Sequence, residues 1–167
     1  MKKPVKLNKE IVDLLMPRIS DEYQANRFYA EAANWCQDKG YFVAAKFFNE
    51  ESADELVHAK GIVDFIIGWN VVPTLPDVEE QNNGFDSLLD IIEKAYAIEY
   101  ALYEAYEDTS MKVFNKGDLC VFDLLQKYRT IQTESVAAFS DMMNVCSGVD
   151  DESKFEMLML EETLFGE

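Results

Sequence analysis

The chain has 167 residues, 49% of them hydrophobic, and a formal charge of −17 from 32 acidic and 15 basic side chains. That length suits one domain with one sizeable core, the hydrophobic share argues against disorder, and the charge disfavours nucleic acid and anionic membrane while favouring cations. No run of about 18 apolar residues is present to span a bilayer, and the opening MKKPVKLNKEIVDLL is broken by Asn8, Lys9, Glu10 and Asp13, unlike a secretory signal.

Five helices are predicted in one domain over residues 1–167, with the bundle at about 8–146. The first runs from about Asn8 to Asp38 and stops at Gly40, a left-handed cap. The second covers about Phe42 to Trp69. Pro73, Pro76 and the Asn82-Asn83-Gly84 turn then exclude helix interior. The third begins near Asp86 or Ser87, both good N-caps, and continues to about Phe114. Asn115-Lys116-Gly117-Asp118 breaks the chain, the fourth helix reaches about Cys146, and Ser147-Gly148 ends it. A short fifth helix covers about Glu152 to Leu164. Short turns make the first and second helices antiparallel neighbours, and likewise the third and fourth. The long connection between the second and third can run the length of a bundle, so those two can be parallel. Four long helices with one long crossover is the ferritin-like arrangement. Cys36, Cys120 and Cys146 form no CxxC pair, which suits small core residues in a reducing cytoplasm.

Stepping three and four residues along each helix traces an inward stripe. The first gives Leu15, Ile19, Glu22, Asn26, Tyr29, Ala33 and Cys36; the second gives Phe48, Glu51, Glu55, His58, Ile62, Phe65 and Trp69. The third gives Phe85, Leu88, Ile92, Ala95, Glu99, Leu102 and Tyr106; the fourth gives Val121, Leu125, Tyr128, Gln132, Ser135, Phe139 and Met142. Each is mainly apolar and is interrupted near its middle, by Glu22, by Glu55 with His58, by Glu99 and by Gln132. In an antiparallel bundle these fall at one level, and no Lys or Arg on the stripes neutralises them. Unpaired carboxylates in a low-dielectric core are costly, so a divalent cation is the economical solution. Carboxylate oxygen with imidazole nitrogen suits iron, manganese or zinc. Glu55 and His58 share one helical face, and Glu-x-x-His is the recurring di-iron device of such bundles. Tyr29, two turns from Glu22 on the same face, is placed to reach the site. Tyr96, Tyr103, Tyr106 and Tyr128 are read as packing residues.

The residues resemble the ferritin family. Asp21-Glu22-Tyr23 to Tyr29 with Asn34-Trp35-Cys36 is similar to the first ferritin helix, and Glu51-Ser52-Ala53-Asp54-Glu55-Leu56-Val57-His58-Ala59 to the second. Ala97-Ile98-Glu99 and Gln132-Thr133-Glu134 are similar to the third- and fourth-helix motifs, and the likeness covers nearly the whole chain. The resemblance implies a ferroxidase with a di-iron centre. One iron would be held by Glu22, Glu55 and His58, and a second by bridging Glu55 with Glu99, Gln132 nearby. Fe(II) would be oxidised by O2 or H2O2 and stored as ferric oxide in a homo-oligomeric cage of twenty-four subunits, whose four-fold axes use the fifth helix. Leu56 stands where haem-binding bacterioferritins carry Met, so no haem is expected. Of a third iron site known in bacterial ferritins, Asp54 and Glu134 are present, whereas Ile131 and Ser135 are not acidic. Val57 and Lys60 replace acids that help to nucleate mineral in animal heavy chains. The second iron, on the Gln132–Ser135 side, is expected to exchange more readily. The alternative is a non-storage di-iron oxidase or peroxidase of the rubrerythrin-like class, which would be expected to carry an electron-transfer partner or rubredoxin-like CxxC pairs, and this chain has no such pair.

Overall fold

The computed structural model describes residues 6–80 and 84–166. Five helices lie in chain order: α1 (Lys9–Lys39), α2 (Phe42–Gly68), α3 (Leu88–Asn115), α4 (Leu119–Cys146) and α5 (Lys154–Phe165); no strand occurs among the described residues. The ends fall within about two residues of those predicted from capping chemistry. Asn8, Ser87, Asp118 and Ser153 each accept a backbone N–H of the first turn that follows. Gly40 adopts φ 82°, and Tyr41 N–H closes α1 by donating to the Cys36 carbonyl at 2.8 Å. Of the turn predicted at Asn82-Asn83-Gly84, only Gly84 lies within the described residues.

Side-chain pairings settle the directions. Arg18 meets Ala105 and Thr109, while Tyr29 meets Glu99, so α1 and α3 run antiparallel. Asn26 meets Ser52, and His58 faces both Glu22 and Glu55, which makes α1 and α2 antiparallel. Tyr128 reaches His58 and Phe47 packs on Phe139, so α2 and α4 are antiparallel as well. It follows that α2 and α3 run in the same direction, as the long crossover between them requires.

The core divides into two apolar halves. One gathers Phe28, Phe48, Phe85, Ile92 and Phe139; the other gathers Leu15, Ile19, Ile62, Val113 and Leu125. Between them lies a layer in which Glu22, Glu55, Glu99 and Gln132 are all buried. Two expectations about the core differ from the structure. Phe65 and Trp69 are half-buried because Ile66 takes the inward place in that turn of α2. Cys120 is exposed in the first turn of α4, where Val121 points inward instead; Cys36 is buried and Cys146 half-buried.

The fifth helix packs across one end. Tyr41 supplies no side-chain cap to α2. The buried carboxylate of Glu161 does so from α5, accepting the N–H groups of Val43 at 2.8 Å and Ala44 at 3.0 Å.

Candidate metal centre

Each helix delivers its polar residue because the flanking positions of its stripe are apolar and force that face inward. Glu22 follows Leu15 and Ile19, and Glu99 sits between Ala95 and Leu102. Glu22, Glu55 and Glu99 are 0%, 4% and 1% exposed, too buried for water to satisfy them.

Glu22, Glu55 and His58 each offer a ligand atom, and these atoms lie within 4.8 Å of one another. His58 Nδ1 is 2.9 Å from Glu55 Oε2 and 3.6 Å from Glu22 Oε2, the second distance being an ion-pair separation rather than a hydrogen bond. Glu99 enters through Tyr29, whose hydroxyl donates to Glu99 Oε1. On the other side of the layer the Tyr106 hydroxyl donates to Glu22 Oε1. Three buried oxygens in the layer have no hydrogen-bond partner: Glu22 Oε2, Glu99 Oε2 and Gln132 Oε1. Buried acceptors left open in this way cost stability, and a cation would satisfy them. The donor set of carboxylates, one amide oxygen and one imidazole fits a divalent transition metal.

Without a cation the cluster neutralises itself with protons. Burial drives the Glu55 carboxyl up to about 9, and the nearby Glu22 and Glu99 charges push the same way against the His58 hydrogen bond. Burial likewise lifts Glu99 to about 7, although the Tyr29 hydroxyl works against it. For His58 burial favours the neutral ring, but Glu22 and Glu55 outweigh it and hold the imidazolium to about 10. Glu22 is the carboxylate that stays ionised: burial would raise it, and the neighbouring His58 ring, Glu55 carboxyl and Tyr106 hydroxyl bring it below its ordinary value. Burial also pushes both phenols, Tyr29 and Tyr106, well above their usual range, so each remains a hydrogen-bond donor.

The structure brings together Glu22, Glu55, His58, Glu99 and Tyr29, with Gln132 buried in the same layer. Asp54 and Glu134 are exposed, on the outward faces of α2 and α4. Two residues read as packing or stripe positions have more to do. Tyr106 contacts a carboxylate directly, and half-buried Glu51 acts electrostatically on both Glu99 and Tyr29. A cavity of about 340 Å³ opens between α1 and α3, lined by Arg18, Asp21, Ala25, Ile98, Leu102 and Ala105; Glu22 and Glu99 do not border it.

Comparison with known proteins agrees with this arrangement. The ferritin-like domain matches residues 12–149. The bacterial non-heme ferritin of Campylobacter jejuni is 28% identical over 138 residues, 83% of each chain. A probable bacterial non-heme ferritin-like protein of Haemophilus influenzae is 23% identical over 148 residues, 89% of this chain and 90% of its own. An open pore ferritin from the archaeon Archaeoglobus fulgidus has the same fold, with a TM-score of 0.87 at 23% identity over 95% of this chain and 96% of its own. With the domain match running from α1 through α4, the chain belongs to the ferritin family.

Proposed function

We propose that the chain is an iron-storage ferritin that oxidises Fe(II) at an intrasubunit di-iron centre and deposits the Fe(III) as ferric oxide inside a twenty-four-subunit cage in the cytoplasm. The observation that carries this reading is the drawing together of Glu22, Glu55 and His58 within 4.8 Å, in a polar layer whose third carboxylate, Glu99, is clamped by a tyrosine. Fe(II) is the substrate. Glu22, Glu55 and His58 hold one ion; Glu55 bridges to a second, held by Glu99 with Gln132 beside it. Each ion loses one electron, so two ions reduce O2 to H2O2 with two protons, or reduce H2O2 to water. Negative charge on the ligands favours the ferric product over the ferrous substrate. Asp54 and Glu134, both exposed, serve as outlying carboxylates of a partial third position.

The test is aerobic Fe(II) oxidation followed by ferric absorbance. Replacing Glu55 and His58 by Ala abolishes the fast phase; unchanged kinetics refute the assignment. Light scattering of the native protein gives a particle near half a megadalton, and a stable monomer or dimer refutes the cage.

A further inference from the structure

The sequence carries one spacing twice. Tyr29 follows Glu22 by seven residues on α1, and Tyr106 follows Glu99 by seven residues on α3. Seven residues are about two turns, so each tyrosine shares a face with its glutamate. On antiparallel helices the two pairs cross. Tyr29 reaches over to Glu99, and Tyr106 reaches back to Glu22. The relation is reciprocal, as if a local two-fold axis passed between α1 and α3.

The atoms repeat the pattern. Each phenol takes Oε1 of its carboxylate, and in both cases Oε2 is the buried atom left without a hydrogen bond, the Glu22 one facing His58 Nδ1 at 3.6 Å. A hydrogen bond to one carboxylate oxygen draws charge from it and fixes the plane of the group, which favours metal ligation through the other oxygen. Both rings are also held firmly. Tyr106 is 0% exposed and stacks on Tyr128 at 5.3 Å and 11°. The Arg18 guanidinium carbon lies 5.9 Å from its ring centroid, anchored to α3 by the Ala105 carbonyl at 2.6 Å and Thr109 Oγ1 at 2.7 Å. Tyr29 is stacked between Phe48 and Phe139, each at 6.1 Å. Neither hydroxyl can leave its carboxylate without repacking a core half.

We infer that Tyr106 is a positioning residue of the iron centre, the counterpart of Tyr29, and that its hydroxyl restricts Glu22 to ligation through a single oxygen. This rests on the di-iron reading. The two terminal carboxylates are then matched, and the asymmetry of the centre is confined to His58 on one side and Gln132 on the other. Packing alone would not need the hydroxyl, because a phenylalanine ring stacks on Tyr128 equally well.

The experiment is anaerobic titration of the full-length metal-free protein with Co(II), read by calorimetry and by visible absorption, which reports coordination number. The wild type takes two ions per subunit. Tyr106→Phe weakens one of them by roughly 10- to 100-fold, the usual effect of losing a hydrogen bond to a metal ligand. Its absorption also falls, because Glu22 is free to chelate with both oxygens and the coordination number rises. Tyr29→Phe weakens the other ion, and Tyr100→Phe, on the exposed side of α3, changes neither. Circular dichroism checks the fold, and Tyr106→Leu, which also lacks the hydroxyl, replaces the Phe variant should that misfold. A folded Tyr106 variant whose isotherm and spectrum superimpose on the wild type overturns the clamp and leaves the centre standing. A wild type that binds no Co(II) overturns the iron centre itself, and the clamp with it.

Discussion

Loading the centre with metal must expel the protons that now neutralise it, and their number follows from the structure. At pH 7 His58, held to about 10, and Glu55, raised to about 9, each carry a proton. Glu99, at about 7, carries about half of one. A cation bound by Glu22, Glu55 and His58 needs a neutral ring and ionised carboxylates, so it releases about two protons, and a second cation at Glu99 about half of one more. These protons belong to the coupled cluster rather than to single residues. The sign is fixed: both groups titrate above neutrality, so apparent affinity climbs as pH rises from 6 to 8, by roughly 100-fold per pH unit for the first ion. Zn(II) titration calorimetry at pH 7, in two non-chelating buffers of different ionisation enthalpy, counts the protons directly. Release of fewer than one proton, or an affinity flat in pH, refutes the account of how the empty core tolerates its carboxylates.

Glu55→Gln stabilises the metal-free protein by about 1–3 kcal/mol at pH 7, since an unfolded glutamate is ionised there while the buried one is held protonated. A raised carboxyl loses stability as pH climbs from its unfolded value towards about 9, so the gain grows from pH 5 to 9 and vanishes near pH 4. Thermal melts across that range check it, and equal melting temperatures throughout sink it. Gly61→Ala destabilises by about 1–3 kcal/mol although alanine is the better helix former, because a methyl there collides with the Tyr128 hydroxyl. That displaces the 2.9 Å bond from Tyr128 to the His58 carbonyl. Adding Tyr128→Phe recovers part of the loss, and a Gly61→Ala variant that melts higher than the wild type contradicts the packing.

The helices were legible because their ends are written in local chemistry. Asn8, Gly40, Ser87 and Asp118 act within a few residues of themselves. Glu22, Glu55, Glu99 and Gln132 were legible for the opposite reason: each contradicts its surroundings, a polar group on an apolar stripe. Tyr106 was missed as a ligand partner because an inward tyrosine agrees with a core stripe; only the repeated seven-residue interval set it apart. Glu161 was hidden further, since its partners, Val43 and Ala44, lie 118 and 117 residues away in the chain. The one local hint was the lack of a capping side chain at Tyr41. Cys120 was assigned to the core by residue type, yet the first turn of α4 turns it outward and Val121 inward.

The bond from Glu161 to the start of α2 also sets an order in time. During synthesis α1 and α2 leave the ribosome early, and they have enough apolar surface to pair as a hairpin. The first turn of α2 nevertheless keeps two backbone donors open until α5 has been made. Without α5 the Tyr41 corner also lacks the Lys154 side chain, which donates to the Lys39 carbonyl and lies over the Tyr41 ring. The fifth helix is thus the element that closes the first turn of α2, so that two helices far apart in the chain share one cap.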